Sequence, residues 1–74
     1  LEAEGQLLEA GRHYEAYAIR EAGTIRAALA LMEAARVYGL AGDDKKQREL
    51  LEPVGRDFAQ YPVGIQARTS IEML

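Results

Sequence analysis

The sequence contains no cysteine and no tryptophan. Without cysteine there is no disulfide framework and no thiolate zinc site. A chain of 74 residues that lacks such staples depends on its apolar core or on a partner. Histidine occurs once, as His13, and Ser70 is the only serine. That scarcity leaves few side chains for nucleophilic or metal chemistry. Positive charge is not in excess. There are 9 basic and 12 acidic residues, a net charge of −3, which opposes a basic nucleic-acid module. The longest charge-free run in the most apolar region is Ala27 to Met32, against the about 20 apolar residues a membrane-spanning helix needs. Leu1-Glu2-Ala3-Glu4 lacks the basic and then apolar pattern of a signal peptide. Together with the missing cysteine, this predicts a cytoplasmic location.

What is present favours helix. Alanine, leucine, glutamate and arginine dominate, and all are good helix formers. Valine is sparse, and no stretch alternates apolar and polar residues as a half-buried strand does. The fold class is therefore all-α, with glycines as punctuation. Reading Gly11, Gly23 and Gly42 as turns gives about five helices. The first spans about 2–10, with Leu1, Leu7 and Leu8 apolar, and Gly11-Arg12 turns the chain. The second spans about 13–22, with Tyr14, Tyr17, Ala18 and Ile19 on a bulky side. Gly23 ends it, and the Thr24 hydroxyl caps the next helix.

The third predicted helix, 25–40, carries only Arg26, Glu33 and Arg36 as charges, and these fall on one stripe. Its other positions are apolar, so it must be covered on two sides and belongs at the centre. Asp43 or Asp44 caps a fourth helix over about 44–60, kinked at Pro53. Two patterns run through that proline. Asp44, Arg48, Glu52 and Arg56 form an alternating-sign ladder, and Leu50, Leu51, Val54, Phe58 and Tyr61 form an apolar face. A last helix over about 63–74 places Gly64, Ala67, Ile71 and Leu74 on one face.

Within this order, Leu31, Ala34, Ala35 and Tyr38 have the spacing of large, small and aromatic residues in the first helix of a tetratricopeptide repeat. Gly42 fits the turn of that unit, and Gln47 and Leu51 fall on matched positions of its second helix. Gln47 departs from the usual small residue. Leu50-Leu51-Glu52-Pro53-Val54 followed by Tyr61-Pro62 resembles divergent members. Gly11-Arg12-His13-Tyr14-Glu15-Ala16 resembles the same turn upstream, while Gly23 stands where the family prefers alanine. The resemblance covers most of the chain. It implies antiparallel hairpins stacked as a fragment of a right-handed solenoid: hairpin one about 1–23, hairpin two about 24–61 and a trailing helix about 62–74. The residues 1–74 form a single unit. The start at Leu1 and the apolar end at Ile71-Glu72-Met73-Leu74 predict that it comes from a longer chain.

The remaining residue constellations favour structural over chemical roles. His13, Ser70 and an aspartate (Asp43, Asp44 or Asp57) lie too far apart in an elongated array for a nucleophile, base and orienting acid. Glu9 and His13 are separated by the expected Gly11 turn, and one histidine is too few for a helical-bundle metal site. Gly39-Leu40-Ala41-Gly42 has the form of an RNA-binding loop, but Asp43-Asp44 directly after it would repel phosphate. Lys45-Lys46-Gln47-Arg48 is neutralised by its acidic neighbours and reads as a solvated face. The turn Ala35-Arg36-Val37-Tyr38-Gly39-Leu40 fits a DNA-binding helix-turn-helix, except that Lys45 stands where an apolar residue should be buried. There is no glycine-rich phosphate loop and no cofactor fingerprint.

The expectation is a non-catalytic scaffold that binds a protein or peptide and has no cofactor, metal, nucleic acid, membrane or small-molecule substrate. The alternative is a helical subunit or accessory domain whose core is completed by a second copy or by a larger protein, and a third reading, behind these two, is helix-turn-helix DNA binding. By the resemblance, the partner lies in a groove lined by the first helix of each pair. Leu31 and Ala35 there are expected to pack between repeats. Arg36 and Tyr38 are the better candidates, since aromatic and arginine side chains dominate binding hot spots. Tyr14 and Tyr17 are the corresponding candidates on the second helix.

Overall fold

The computed structural model describes residues 2–74, with side chains from Gly5 onward. Leu1, expected as an apolar residue of the first helix, lies outside the described residues. Four helices account for the rest: α1 (Glu2–Arg20), α2 (Ile25–Leu40), α3 (Asp44–Asp57) and α4 (Pro62–Glu72). They form an all-α stack of helical hairpins, with no strand among the described residues.

The expected break at Gly11-Arg12 is absent, which merges the first two predicted helices into α1. Gly11 is buried inside that helix. A Cβ there would come within 2.8 Å of the Tyr38 ring on α2. The missing side chain therefore lets two helices cross closely and does not turn the chain. As a result α1 pairs with α2, and the hairpin expected within residues 1–23 does not form. Continuous helix also brings His13 Nε2 to 4.0 Å from Glu9 Oε1, four residues back, in an exposed pair of small energetic value.

The next two turns follow the sequence closely. Gly23 and Gly42 both adopt positive φ, as glycines beyond helix ends do. The Thr24 hydroxyl accepts from the Ala27 N–H at 3.2 Å, and Asp43 accepts from the Lys46 N–H at 3.1 Å. Each satisfies a backbone donor that the helix start leaves open. Helix α2 spans the expected residues and sits at the centre, with α1 on one side and α3 on the other. Ala27, Ala28, Ala30, Ala34 and Ala35 are buried along it and keep its neighbours close.

Helix α3 continues through Pro53 but ends at Asp57, three residues before the expected end. Phe58 leaves helical geometry, and the Tyr61 N–H bonds back to its carbonyl at 3.0 Å. Pro62 then starts α4, a position where its missing N–H costs nothing. Helix α4 ends at Glu72, so Met73 and Leu74 lie beyond it. The charge ladder of α3 does not close into its expected pairs. Asp44, Arg48, Glu52 and Arg56 are all exposed, and Arg56 instead meets its neighbour Asp57 at 3.0 Å. Pro53 also carries a testable cost. Interior proline costs a helix about 3 kcal/mol, offset by up to about 1 kcal/mol from a stiffer unfolded chain. Pro53→Ala should therefore raise stability by about 2 kcal/mol in chemical denaturation. No gain would mean that the ring's packing outweighs the missing hydrogen bond.

The main core lies among α2, α3 and α4. Tyr38, Leu50, Leu51, Val54, Val63 and Ala67 are buried there, with Leu8 of α1 and Leu31, Met32, Phe58 and Ile71 packed around them. A smaller cluster of Ala18, Ala27 and Ala30 joins α1 to α2. The Cα extents are 39 × 28 × 15 Å. The shortest of these is about half of the next, so the molecule is a slab with two broad faces.

Candidate functional site

Helix α2 is enclosed at its sides but open on one face of the slab. Positions at helical spacing along that face are Ile25, Leu29, Arg36 and Leu40. The apolar members remain exposed, at 42% for Ile25, 53% for Leu29 and 63% for Leu40. Leu29 forms a ridge with a groove on each side.

The first groove, of about 540 Å³, lies between α2 and α4. Met32, Ala35 and Arg36 of α2 face Gln66 and Ser70 of α4, with Gln47 and Leu51 of α3 between them. The second, of about 550 Å³, lies between α1 and α2. Tyr14 and Tyr17 make its α1 wall, and Leu29 and Ala30 its α2 wall. His13, Arg20, Arg26 and Glu33 line the remainder.

The charges around these grooves are arranged unevenly. Arg36 Nη2 donates to Glu33 Oε2 at 2.9 Å, and this bond holds the Arg36 guanidinium above its ordinary pKa. Arg26 Nε lies 3.5 Å from Glu21 Oε1. The Arg20 guanidinium stands 5.7 Å from the centre of the Tyr17 ring. Among the described residues no carboxylate pairs with it.

Three of the four side chains singled out in the sequence thus reach the exposed face. Tyr14 and Tyr17 line one groove and Arg36 the other. Tyr38 does not, and its assignment to a partner surface is corrected. It is 5% exposed and packs in the core. Its hydroxyl donates to Glu15 Oε2 at 2.6 Å, and Lys46 Nζ donates to Glu15 Oε1 at 2.9 Å. The Lys46 ammonium also stands 5.7 Å from the Tyr38 ring centre. This cluster joins α1, α2 and α3, and among the described residues it holds the only ion pair between the outer two, α1 and α3. Burial, and then the Glu15 hydrogen bond, push the Tyr38 phenol up to about 12. The same carboxylate raises the Lys46 pKa through its hydrogen bond.

Leu29, Arg20 and Arg26 were missed as site residues. The sequence carries a signal for Leu29. It falls on the same stripe as Arg26, Glu33 and Arg36, so an apolar residue there stands among solvated charges. Ala35 is buried in the main core and Leu31 is half-buried against it.

Other chemistry finds little support in the geometry. No group of three His, Asp or Glu side chains is placed to hold a metal ion among the described residues. Lys45 and Arg48 are exposed, so the start of α3 does not bury the residue that a DNA-reading turn requires. No helix is long and apolar enough to cross a membrane, among the described residues. No known family model, curated protein or solved structure matches this chain.

Proposed function

We propose that this chain is a non-catalytic protein-interaction scaffold that holds a segment of a partner along the open face of α2. The observation that carries this reading is the row Ile25, Leu29 and Leu40. These are large apolar side chains on the central helix, left uncovered although both of its flanks are packed. Leu29 and Leu40 line one groove with Met32 and Leu51, and exposed apolar side chains gathered along a groove mark interaction sites more often than scattered ones do. The two tyrosines beside Leu29 add contact area at a low cost in side-chain entropy. The resemblance to tetratricopeptide repeats supports the same face. In that frame α2 is the first helix of a pair, and its open face lines the groove that takes the partner.

A displayed library of random short peptides tests this. Selected binders should lose about tenfold or more in affinity on Leu29→Asp, and on Tyr17→Ala, with the helical circular dichroism signal unchanged. If no binder emerges, or if the binders ignore both substitutions, the scaffold reading is wrong.

One observation favours a second reading, that of a helical subunit completed by another copy. Helix α4 packs on α3 and only the edge of α2, and leaves Ile65 57% exposed. Solution mass measured over a range of concentrations separates the two. A dimer abolished by Ile65→Glu supports the subunit, and a monomer at every concentration supports the scaffold.

A further inference from the structure

We propose that the groove between α1 and α2 takes an acidic partner segment. An apolar side chain of that segment seats on Leu29 and Ala30 between Tyr14 and Tyr17, and a neighbouring carboxylate meets Arg20. This rests on the scaffold reading and specifies the chemistry of its partner.

The apolar half follows from the lining, which places two aromatic rings opposite a leucine and an alanine. A groove of about 550 Å³ is large enough for one or two bulky side chains. The acidic half follows from the charge balance at the mouth. Glu33 is engaged by Arg36 at 2.9 Å, so it contributes little free negative charge. Arg26 is held at 3.5 Å by Glu21 and keeps its side chain 70% exposed. Arg20 has no carboxylate among the described residues and lies over the Tyr17 ring. That ring restricts where the guanidinium points. The mouth of the groove is therefore locally positive, on a chain whose net charge is −3.

The three charge classes of partner differ in what they do to Arg20. A neutral segment would cover the guanidinium and leave it desolvated without a partner, which costs affinity. A basic segment would be repelled. A carboxylate can accept two parallel N–H bonds from the planar guanidinium, the strongest pairing open to it. An isolated polyanion gains little, because the opposite wall offers only apolar contact.

The same displayed peptide library provides the test, with selection at physiological salt. The expected binders carry Asp or Glu within a few positions of a Leu, Phe or Trp anchor. A synthetic copy of one such peptide should bind at least about tenfold more weakly to Arg20→Glu, and replacing its acid with lysine should restore binding to that variant. Binders that are neutral or basic would overturn the acidic inference. So would acidic binders unaffected by Arg20→Glu but abolished by Leu29→Asp, and both results leave the scaffold reading intact. If no peptide is selected, or if the binders ignore both Leu29→Asp and Tyr17→Ala, the scaffold reading falls and the acidic inference falls with it. Arg20→Gln, which keeps a polar exposed side chain, is the control against loss of folding. It should lose part of the affinity for the acidic peptide and gain none for its lysine copy.

Discussion

Gly64→Ala should unfold this protein or leave it with α4 undocked. Helix α4 begins two residues before Gly64, immediately after the turn from α3. A Cβ on Gly64 would overlap the backbone carbonyl of Phe58, both its oxygen and its carbon. A side-chain neighbour could rotate away, but a carbonyl in a tight turn cannot. Moving it would break the Tyr61 N–H bond to the same oxygen, which closes the turn. Relief then requires α4 to shift outward, taking Val63, Ala67 and Ile71 off the core. A domain of this size is stable by roughly 0.05–0.15 kcal/mol per residue, so a loss of about 3–5 kcal/mol is most of what it has. Gly5 provides the control. It lies in α1 with open space where a Cβ would stand, so Gly5→Ala should stabilise by up to about 1 kcal/mol through helix propensity alone. Urea denaturation of the two variants should move in opposite directions. If Gly64→Ala has the midpoint of the parent, the α3–α4 turn does not have this geometry.

The contrast between these two glycines explains why the sequence was readable only in part. Helix α2 and its caps were legible because several signals agree there. Thr24 and Asp43 stand just before helix starts, Gly23 and Gly42 stand at turns, and the charges of α2 share one stripe. At Gly11 the same letter means something else. The residue is glycine because Tyr38 of another helix presses on it, and nothing local distinguishes that from a turn. The early end of α3 has a similar origin. The apolar spacing of Phe58 and Tyr61 continues the helical period, but Phe58 turns away so that its carbonyl can receive the start of α4. The candidate site divides in the same way. Tyr14, Tyr17 and Arg36 reach the surface that their positions suggested. Tyr38 has an equally aromatic letter, but it is buried because Gly11 leaves room for its ring and Glu15 accepts a hydrogen bond from its hydroxyl. Both partners lie more than twenty positions away in sequence, out of reach of any periodicity.

Tyr38→Ala should cost about 3–5 kcal/mol, the range for truncating a large buried aromatic side chain. It would leave a cavity beside Gly11, where there is no side chain to fill it. It would also strip Glu15 of one of its two partners. Tyr38→Phe separates the ring from the hydroxyl. The ring still fills the space, and Lys46 still neutralises Glu15, so the loss should be about 1–2 kcal/mol, near the low end for a hydrogen bond to a charged group. The pH dependence gives a second, independent check. The folded Tyr38 phenol is pushed up to about 12, above its value of about 10 in an unfolded chain. Between those values the folded state holds the proton and the unfolded state does not, so unfolding releases it. The stability from this group is therefore complete below about pH 10 and declines as pH rises through about 12. Lys46 acts in the same direction, since its folded pKa is also raised and its pairing with Glu15 is lost as it deprotonates. Thermal melts of the parent should thus fall steeply over this alkaline range. Tyr38→Phe should flatten the part due to the phenol and keep the part due to Lys46, and adding Lys46→Met should remove that as well. Identical alkaline slopes in the parent and in Tyr38→Phe would mean that the tyrosine does not hold its proton inside the fold. The bond joining α2 to α1 would then not have the geometry described.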